Sequence, residues 1–461
     1  MEENKNPKPL SKSLKRFFGV GDFSFTLMSN IDTYYASYFF TNIAKFSLGV
    51  VSVMTTISAV IDMILSSLYG PWMNKIKPKK WGRYRSWLIL TPWIVPILYA
   101  MQFVRLGNGI AAVIFVTLAM ITSRIAWNLP YIANVAMINI AGKTPEDRMA
   151  LSSSRMVWTS LGSVAYSYVG PAVVSIFAGL LGEQYSYAAT AFAFAALMAA
   201  TYYAHFRMFK GYEPTGEEEM AMMAAEAEKK ADEGQPAKQF SAVKAISCNP
   251  HLIALFGSCM MKYILLFLVN GMAVYYFTYV SQNAGLLAPF LLVANLLAVV
   301  ASYLSKYIVG ALGAKNTNVG GYLIMAAAGI LSFVLYKNTI IVIIGMAIVL
   351  FIMNLTCACD PELFANCAAY SGEKLGADVT GTVMGLLTVP IKIGIVFRGI
   401  LISACLALAG FDSSAEAVDA TVRLQRGVSA GFMLIPAIVI LLGALMLLFG
   451  YRLGTPKEQK A

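Results

Sequence analysis

The sequence predicts an all-α membrane protein of about twelve transmembrane helices arranged as two six-helix halves. Its 461 residues are 58% hydrophobic and only 13% charged, with a mean hydropathy of +0.66. A soluble domain carries about a quarter charged residues. Apolar stretches recur almost end to end, each close to the roughly 20 residues that one bilayer crossing needs. Lys and Arg concentrate in alternate loops, as they do when loops fall on alternate sides of a membrane.

In the first half the expected spans are 18–46, 49–74, 86–106, 109–140, 152–181 and 186–208. A polar segment over 209–246 follows. The second half offers 249–282, 285–309, 318–336, 339–367, 379–409 and 428–452. The expected domains are therefore an N-terminal half over 1–208, a middle loop over 209–246 and a C-terminal half over 247–461. Six spans, a long loop and six more is the layout of the major facilitator superfamily. A faint internal echo runs from Tyr34-Tyr35 through Thr41 in the first span to Tyr275-Tyr276 through Thr278 in the seventh.

Lys5, Lys8, Lys12, Lys15 and Arg16 lie at the start, and Lys75, Lys77, Lys79, Lys80, Arg83 and Arg85 after the second span. Lys143 and Arg148 follow the fourth, and Lys457 and Lys460 close the chain. Positive loops face the cytoplasm, so a multi-pass protein of the cell inner (plasma) membrane with both termini cytoplasmic is expected. No cleavable signal peptide is expected. The net charge of +11 belongs to the loops and reads as topology, so no nucleic-acid partner is expected. The middle segment, Glu217-Glu218-Glu219 through Lys229-Lys230, is charged and Ala-rich and reads as a tether with a surface helix.

Enzymatic chemistry is not expected. His205 and His251 are the two histidines, both near span ends, and no serine–histidine–acid, zinc or phosphate-loop pattern occurs. Cys357 and Cys359 stand two apart, which matches no zinc spacing. The six cysteines read as small packing hydrophobes, and no cofactor or metal is expected.

Ionisable groups inside spans cost several kcal/mol unless paired or hydrated, so each is a functional candidate. The first half offers Asp22, Asp32, Asp62, Arg124 and Arg155; the second offers Lys262, Asp360, Glu362, Lys392 and Arg398. Two halves rocking about a midplane site would let acidic groups of the first face Lys262 and Lys392 of the second. Tyr34, Tyr35, Tyr38, Phe39, Phe40, Trp127 and Tyr131 supply aromatic faces suited to sugar rings and steroid-like ligands alike. Pro130, Pro390 and Gly394 interrupt helices beside these candidates.

Several motifs, in order along nearly the whole chain, resemble the glycoside–pentoside–hexuronide:cation symporters, the family of the melibiose permease. They are Gly19-x-Gly21-Asp22-Phe23 in the first span and Trp81-Gly82-Arg83-Tyr84-Arg85-Ser86-Trp87 after the second. Asn128-Leu129-Pro130-Tyr131, Glu146-Asp147-Arg148 and Arg155 follow, then Ala369-Tyr370-Ser371-Gly372-Glu373-Lys374, Gly381, Thr388 and Lys392. The resemblance implies a secondary symporter whose substrate site uses Asp22, Asn128, Arg155, Thr388 and Lys392, with Tyr131 beside them. Asn128 stands where the family usually has Asp, and Ile132 where it has a sugar-stacking Trp.

The family's sodium cage, roughly D-x-x-N/D-D-P, reads here Asp62-Met63-Ile64-Leu65-Ser66-Ser67. Ile125 replaces a fourth-span hydroxyl. Hard cations want six or so oxygens, and this stretch supplies about two. The coupling site is therefore expected to hold a proton at Asp62, with Ser66 beside it, or no ion. The expected cargo is a glycoside or a hexuronide. An amphipathic organic acid, steroid or lipid-like molecule is the alternative, and a non-translocating membrane sensor is the alternative of another class.

Overall fold

A computed structural model describes residues 9–221, 247–376, 379–412 and 420–453. Regular structure among these residues is helical, apart from one isolated antiparallel bridge between Lys79 and Gly82. Most of the predicted middle tether and the terminal lysines lie outside the described residues. The all-α membrane architecture expected from hydropathy is the one observed.

Ten helices among the described residues are long and apolar enough to cross a membrane. The first and third of the twelve expected spans are also helical but differ in character. The first carries Asp22, Asp32 and several hydroxyls. The third is divided at 91–94, next to Pro92 and Pro96, whose missing N–H groups cannot continue a ladder.

Compact packing groups Met1–Asp32 with Val60–Pro236, and Thr33–Ala59 with Ala237–Ala461. In the first group, Ser11 caps α1 (Lys12–Phe17) by accepting the Leu14 amide. The chain then enters α2 (Val20–Tyr38), which ends in a π-helical turn, Phe39–Ile43. α3 (Leu48–Lys75) leads to the basic loop, and α4 (Trp87–Leu90) and α5 (Val95–Met101) form the third span. α6 (Ile110–Ala141) contains Pro130, and α7 (Pro145–Leu181) is capped by the Thr144 hydroxyl. Gly182, at φ +84°, turns the chain into α8 (Glu183–Met208), a conformation that glycine alone adopts without steric cost.

One end of this group is a dry cluster of Leu14, Phe18, Met73, Leu88, Met137 and Phe209 with their neighbours. The loop over it is knitted by charge. Arg83 donates to the Met73 and Ile76 carbonyls at 3.1 and 2.9 Å and pairs with Glu219 at 2.6 Å. Glu213 accepts the Tyr84 and Arg85 amides at 2.9 and 2.8 Å. Residues 216–221 are helical, so the start of the predicted tether is fastened to the loop after the second span.

In the second group, Asn249 caps α9 (Pro250–Tyr275), which also ends in a π-helical turn, Tyr276–Val280. The echo read between the first and seventh spans is thus a shared local geometry. Thr41 Oγ1 lies 2.7 Å from the Tyr275 hydroxyl, and the Asn42 amide donates to the Tyr279 hydroxyl. α10 (Leu287–Leu312) and α11 (Ala314–Val334) meet at Gly313, φ +77°. The tenth span is two helices, α12 (Thr339–Cys357) and α13 (Asp360–Leu375), and the eleventh runs through α14 (Thr380–Gly385) into α15 (Val389–Ala409). α16 (Val422–Ser429) and α17 (Ile435–Leu445), joined by a π-helical turn, make the twelfth.

Candidate functional site

Asp22 sits in the first turn of α2 and is 2% exposed. It gets there because two glycines let α2 approach its neighbours closely. A Cβ on Gly19 would stand 2.5 Å from the Ser154 carbonyl oxygen, the residue before Arg155. A Cβ on Gly21 would stand 2.6 Å from the Tyr202 ring and 2.7 Å from the His205 ring. The Gly-x-Gly-Asp motif is therefore a packing device that seats a carboxylate between α7 and α8.

The carboxylate meets Arg155 in a two-pronged pair: Nε donates to Oδ2 at 2.9 Å and a terminal nitrogen donates to Oδ1 at 2.5 Å. Bidentate pairs of this kind fix direction as well as charge. Arg155 also lies over the Tyr131 ring at 5.6 Å and within 3.4 Å of its hydroxyl. Tyr131 stacks on Phe25 at 4.6 Å, and Phe25 contacts Trp127 at 5.1 Å. Three rings from α2 and α6 thus make an apolar wall beside a charged pair.

Two residues that the sequence reading did not assign to the site complete this corner. His205 is fully buried; its Nε2 accepts the Gly21 amide at 3.3 Å, which leaves Nδ1 as the protonated nitrogen facing the Asn134 Oδ1 at 2.8 Å. It is a neutral strut holding the start of α2. Tyr202 is also fully buried, and its hydroxyl has no hydrogen-bond partner among the described residues. Asp22, Tyr131 and Arg155 are its charged and polar neighbours. The aromatic-rich run of α8 hid both, since a Tyr or His there reads as ordinary packing.

A second pair lies on α3 and α6. Asp62 is 5% and Asn128 3% exposed, and the Asn128 amide donates to Asp62 Oδ1 at 2.6 Å. The same amide nitrogen donates to the Arg124 carbonyl at 2.9 Å. The Ser66 hydroxyl, expected beside the carboxylate, donates to the Asp62 main-chain carbonyl at 2.5 Å. Asn128 thus belongs with Asp62 rather than with Asp22 in this geometry. Asp32 and Arg124 form a further pair at 3.2 Å. No group of three or more acidic, His or Cys side chains fit to hold a metal occurs among the described residues.

Thr388 and Lys392 belong to the other packing group. Thr388 precedes α15 and donates to the Gly385 carbonyl at 3.3 Å, while Lys392 lies in the first turn of α15. Lys262, expected to face acidic groups of the first half, is instead fully buried against Asp360 of its own group at 2.6 Å. A cation this deep needs an anion from a helix already packed on it.

A profile of the family described as MFS/sugar transport protein matches residues 17–455. The chain is 21% identical over 433 residues to the glucuronide carrier protein homolog of Escherichia coli (strain K12), covering 92% of this chain and 90% of that one. It is 22% identical over 460 residues to the isoprimeverose transporter of Lactiplantibacillus pentosus, covering 97% and 89%. Among solved structures it resembles a bacterial homolog of the human lysosomal transporter Spinster, in an inward-facing and occupied conformation. There the TM-score is 0.66 at 12% identity, over 97% of this chain and 98% of that chain. The chain belongs to the MFS/sugar transport protein family: it is a multi-pass secondary transporter of the major facilitator superfamily, and not an enzyme.

Proposed function

We propose that this protein is a symporter-like secondary transporter for a glycoside or a hexuronide, coupled to protons or uncoupled, and indifferent to sodium. The observation that carries the cargo class is the Asp22–Arg155 pair beside the Phe25, Tyr131 and Trp127 rings. Sugar hydroxyls exchange hydrogen bonds readily with a carboxylate and a guanidinium, while the apolar ring face rests on aromatics. Tyr202, with an unused buried hydroxyl beside that pair, supplies a further donor. Thr388 and Lys392, at the start of α15, are further candidates for contact with cargo. Relatives named a glucuronide carrier homolog and an isoprimeverose transporter support the same class.

The coupling reading rests on Asp62. Its partner is the neutral amide of Asn128, and Leu65 offers no side-chain oxygen. Asp62 and Ser66, which stand where the family has its oxygen cage, offer fewer oxygens than the shell a dehydrated sodium ion requires. A single proton needs only the carboxylate. A proton moving down ~100 mV supplies about 2.3 kcal/mol, some fifty-fold accumulation. The basic loops support a location in the plasma membrane with both ends cytoplasmic.

The test is uptake of labelled phenyl glucoside and phenyl glucuronide into proteoliposomes. Counterflow of either sugar establishes translocation and excludes a non-translocating sensor. Accumulation should respond to an imposed pH gradient or be absent, and in either case should not respond to sodium. Strong sodium stimulation overturns the coupling reading; no counterflow of either sugar overturns the cargo reading.

A further inference from the structure

The broken tenth span holds a fully buried cation that the sugar site does not use. α12 stops at Cys357 and α13 restarts at Asp360. Pro361 has no N–H, so the Cys357 carbonyl loses its helical donor and the ladder opens. The Cys359 amide turns back to the Thr356 carbonyl at 3.1 Å. Into this break runs Lys262, twelve residues inside α9 from Pro250, or roughly 18 Å along the helix at 1.5 Å per residue, near mid-membrane depth. Its Nζ donates to both Asp360 carboxylate oxygens at 2.6 Å and lies 3.4 Å from the Thr356 carbonyl oxygen. Discontinuous helices at this depth are where transporters of many folds build their binding sites.

The surroundings fix what can happen there. Lys262 is 0% and Asp360 4% exposed. The other titratable groups facing them are Cys259 and Tyr263 on α9, Tyr322 on α11, and Cys357 and Cys359 at the break. None of these is a second cation. Opening the pair leaves an ammonium buried without its anion, at a cost of several kcal/mol. An incoming anion can replace Asp360 on Lys262, and a proton can then neutralise Asp360. The buried charge is zero before and after: Lys⁺ with Asp⁻ becomes Lys⁺ with a bound carboxylate and a neutral Asp.

We infer that Lys262 and Asp360 form a carboxylate-and-proton seat, which selects acid-bearing cargo such as a uronide and takes up one proton for each carboxylate it binds. This rests on the proposed sugar cargo and narrows it to the anionic branch. α15 crosses α9 beside it, with Gly394 packed on Tyr263, so Lys392, two residues earlier, lies on the same stretch of helix.

The test is calorimetry on the purified full-length protein with phenyl glucuronide and phenyl glucoside, in two buffers of different ionisation enthalpy, which counts protons taken up on binding. Glucuronide should bind with one proton more than glucoside. Because Asp360→Asn alone would leave Lys262 buried without its partner charge, the variant tested is the neutral pair, Lys262→Met with Asp360→Asn. It should bind glucuronide with no more protons than glucoside and lower the glucuronide-to-glucoside affinity ratio ten-fold or more. An unchanged proton count or an unchanged ratio in this variant overturns the seat and leaves the sugar reading standing. Binding of glucoside but not glucuronide does the same. Binding of neither sugar overturns the cargo reading and the seat with it.

Discussion

Asn128→Asp is the most informative single change to the Asp62 pair. The native amide donates to Asp62 Oδ1 at 2.6 Å, and both side chains are almost fully buried. Replacing it with a carboxylate sets two anions about 3 Å apart. At an effective dielectric constant of about 20 they repel by about 5–6 kcal/mol. One neutralising cation relieves that repulsion, and at 1.4 kcal/mol per decade the gain is roughly four decades in affinity for a proton or sodium ion. Proteoliposome uptake of phenyl glucuronide, followed against pH with and without sodium, reads the change. The variant should take up cargo with a steeper proton dependence or acquire stimulation by sodium, while the unsubstituted protein shows none. If the variant matches the unsubstituted protein in both responses, Asp62 and residue 128 do not share a site in the working transporter and the coupling argument fails.

Asp62→Asn should abolish accumulation of phenyl glucoside driven by a pH gradient yet leave its counterflow; retained accumulation removes the carboxylate from coupling. Arg155→Gln strips a buried carboxylate of its partner, which costs about 3 kcal/mol at the low end for a broken buried pair, since Arg155 keeps some exposure. A fluorescence melt should show the loss, Asp22→Asn in the same chain should recover much of it, and sugar binding should stay weak in both. Gly19→Ala drives a methyl into the Ser154 carbonyl and should raise the Kd for sugar at least ten-fold with the helical circular dichroism intact; unchanged binding denies that the glycine positions Asp22. Burial raises the Glu213 carboxyl above its ordinary value of 4.5, although the Tyr84 and Arg85 amides oppose the shift. A carboxyl raised in the folded state holds its proton more tightly there than in the unfolded chain. Its contribution to stability is present below pH 4.5 and is lost as pH rises through the folded value. Glu213→Gln should flatten that part of the melting-temperature profile, and an unaltered profile rejects the assignment.

Much of this protein follows from local sequence. Bilayer solvent demands that every backbone amide be satisfied within its own segment, so a hydropathy profile read one span at a time already yields the helices and the twofold plan. The family could be read because Gly19, Gly21, Asp22, Arg83 and Arg155 each mark a place where backbones meet closely or a charge needs a fixed partner. The division of the tenth span was also latent at Pro361, a residue that cannot donate to the ladder, though a purely apolar profile runs across it. Which charges meet is different, because a pair such as Lys262 and Asp360 is ninety-eight residues apart in sequence and depends on how α9 lies against α12 and α13. The same holds for Asn128, which the motif places with Asp22 but the packing of α6 on α3 turns to Asp62, and for Tyr202 and His205, which look like any residues of an aromatic helix until Gly21 brings α2 against them. Helix formation is decided by neighbours in the chain, whereas burying a charge is decided by whichever helix can bring an opposite charge or a hydrogen-bond partner into the same dry volume, and that is a property of the tertiary structure alone.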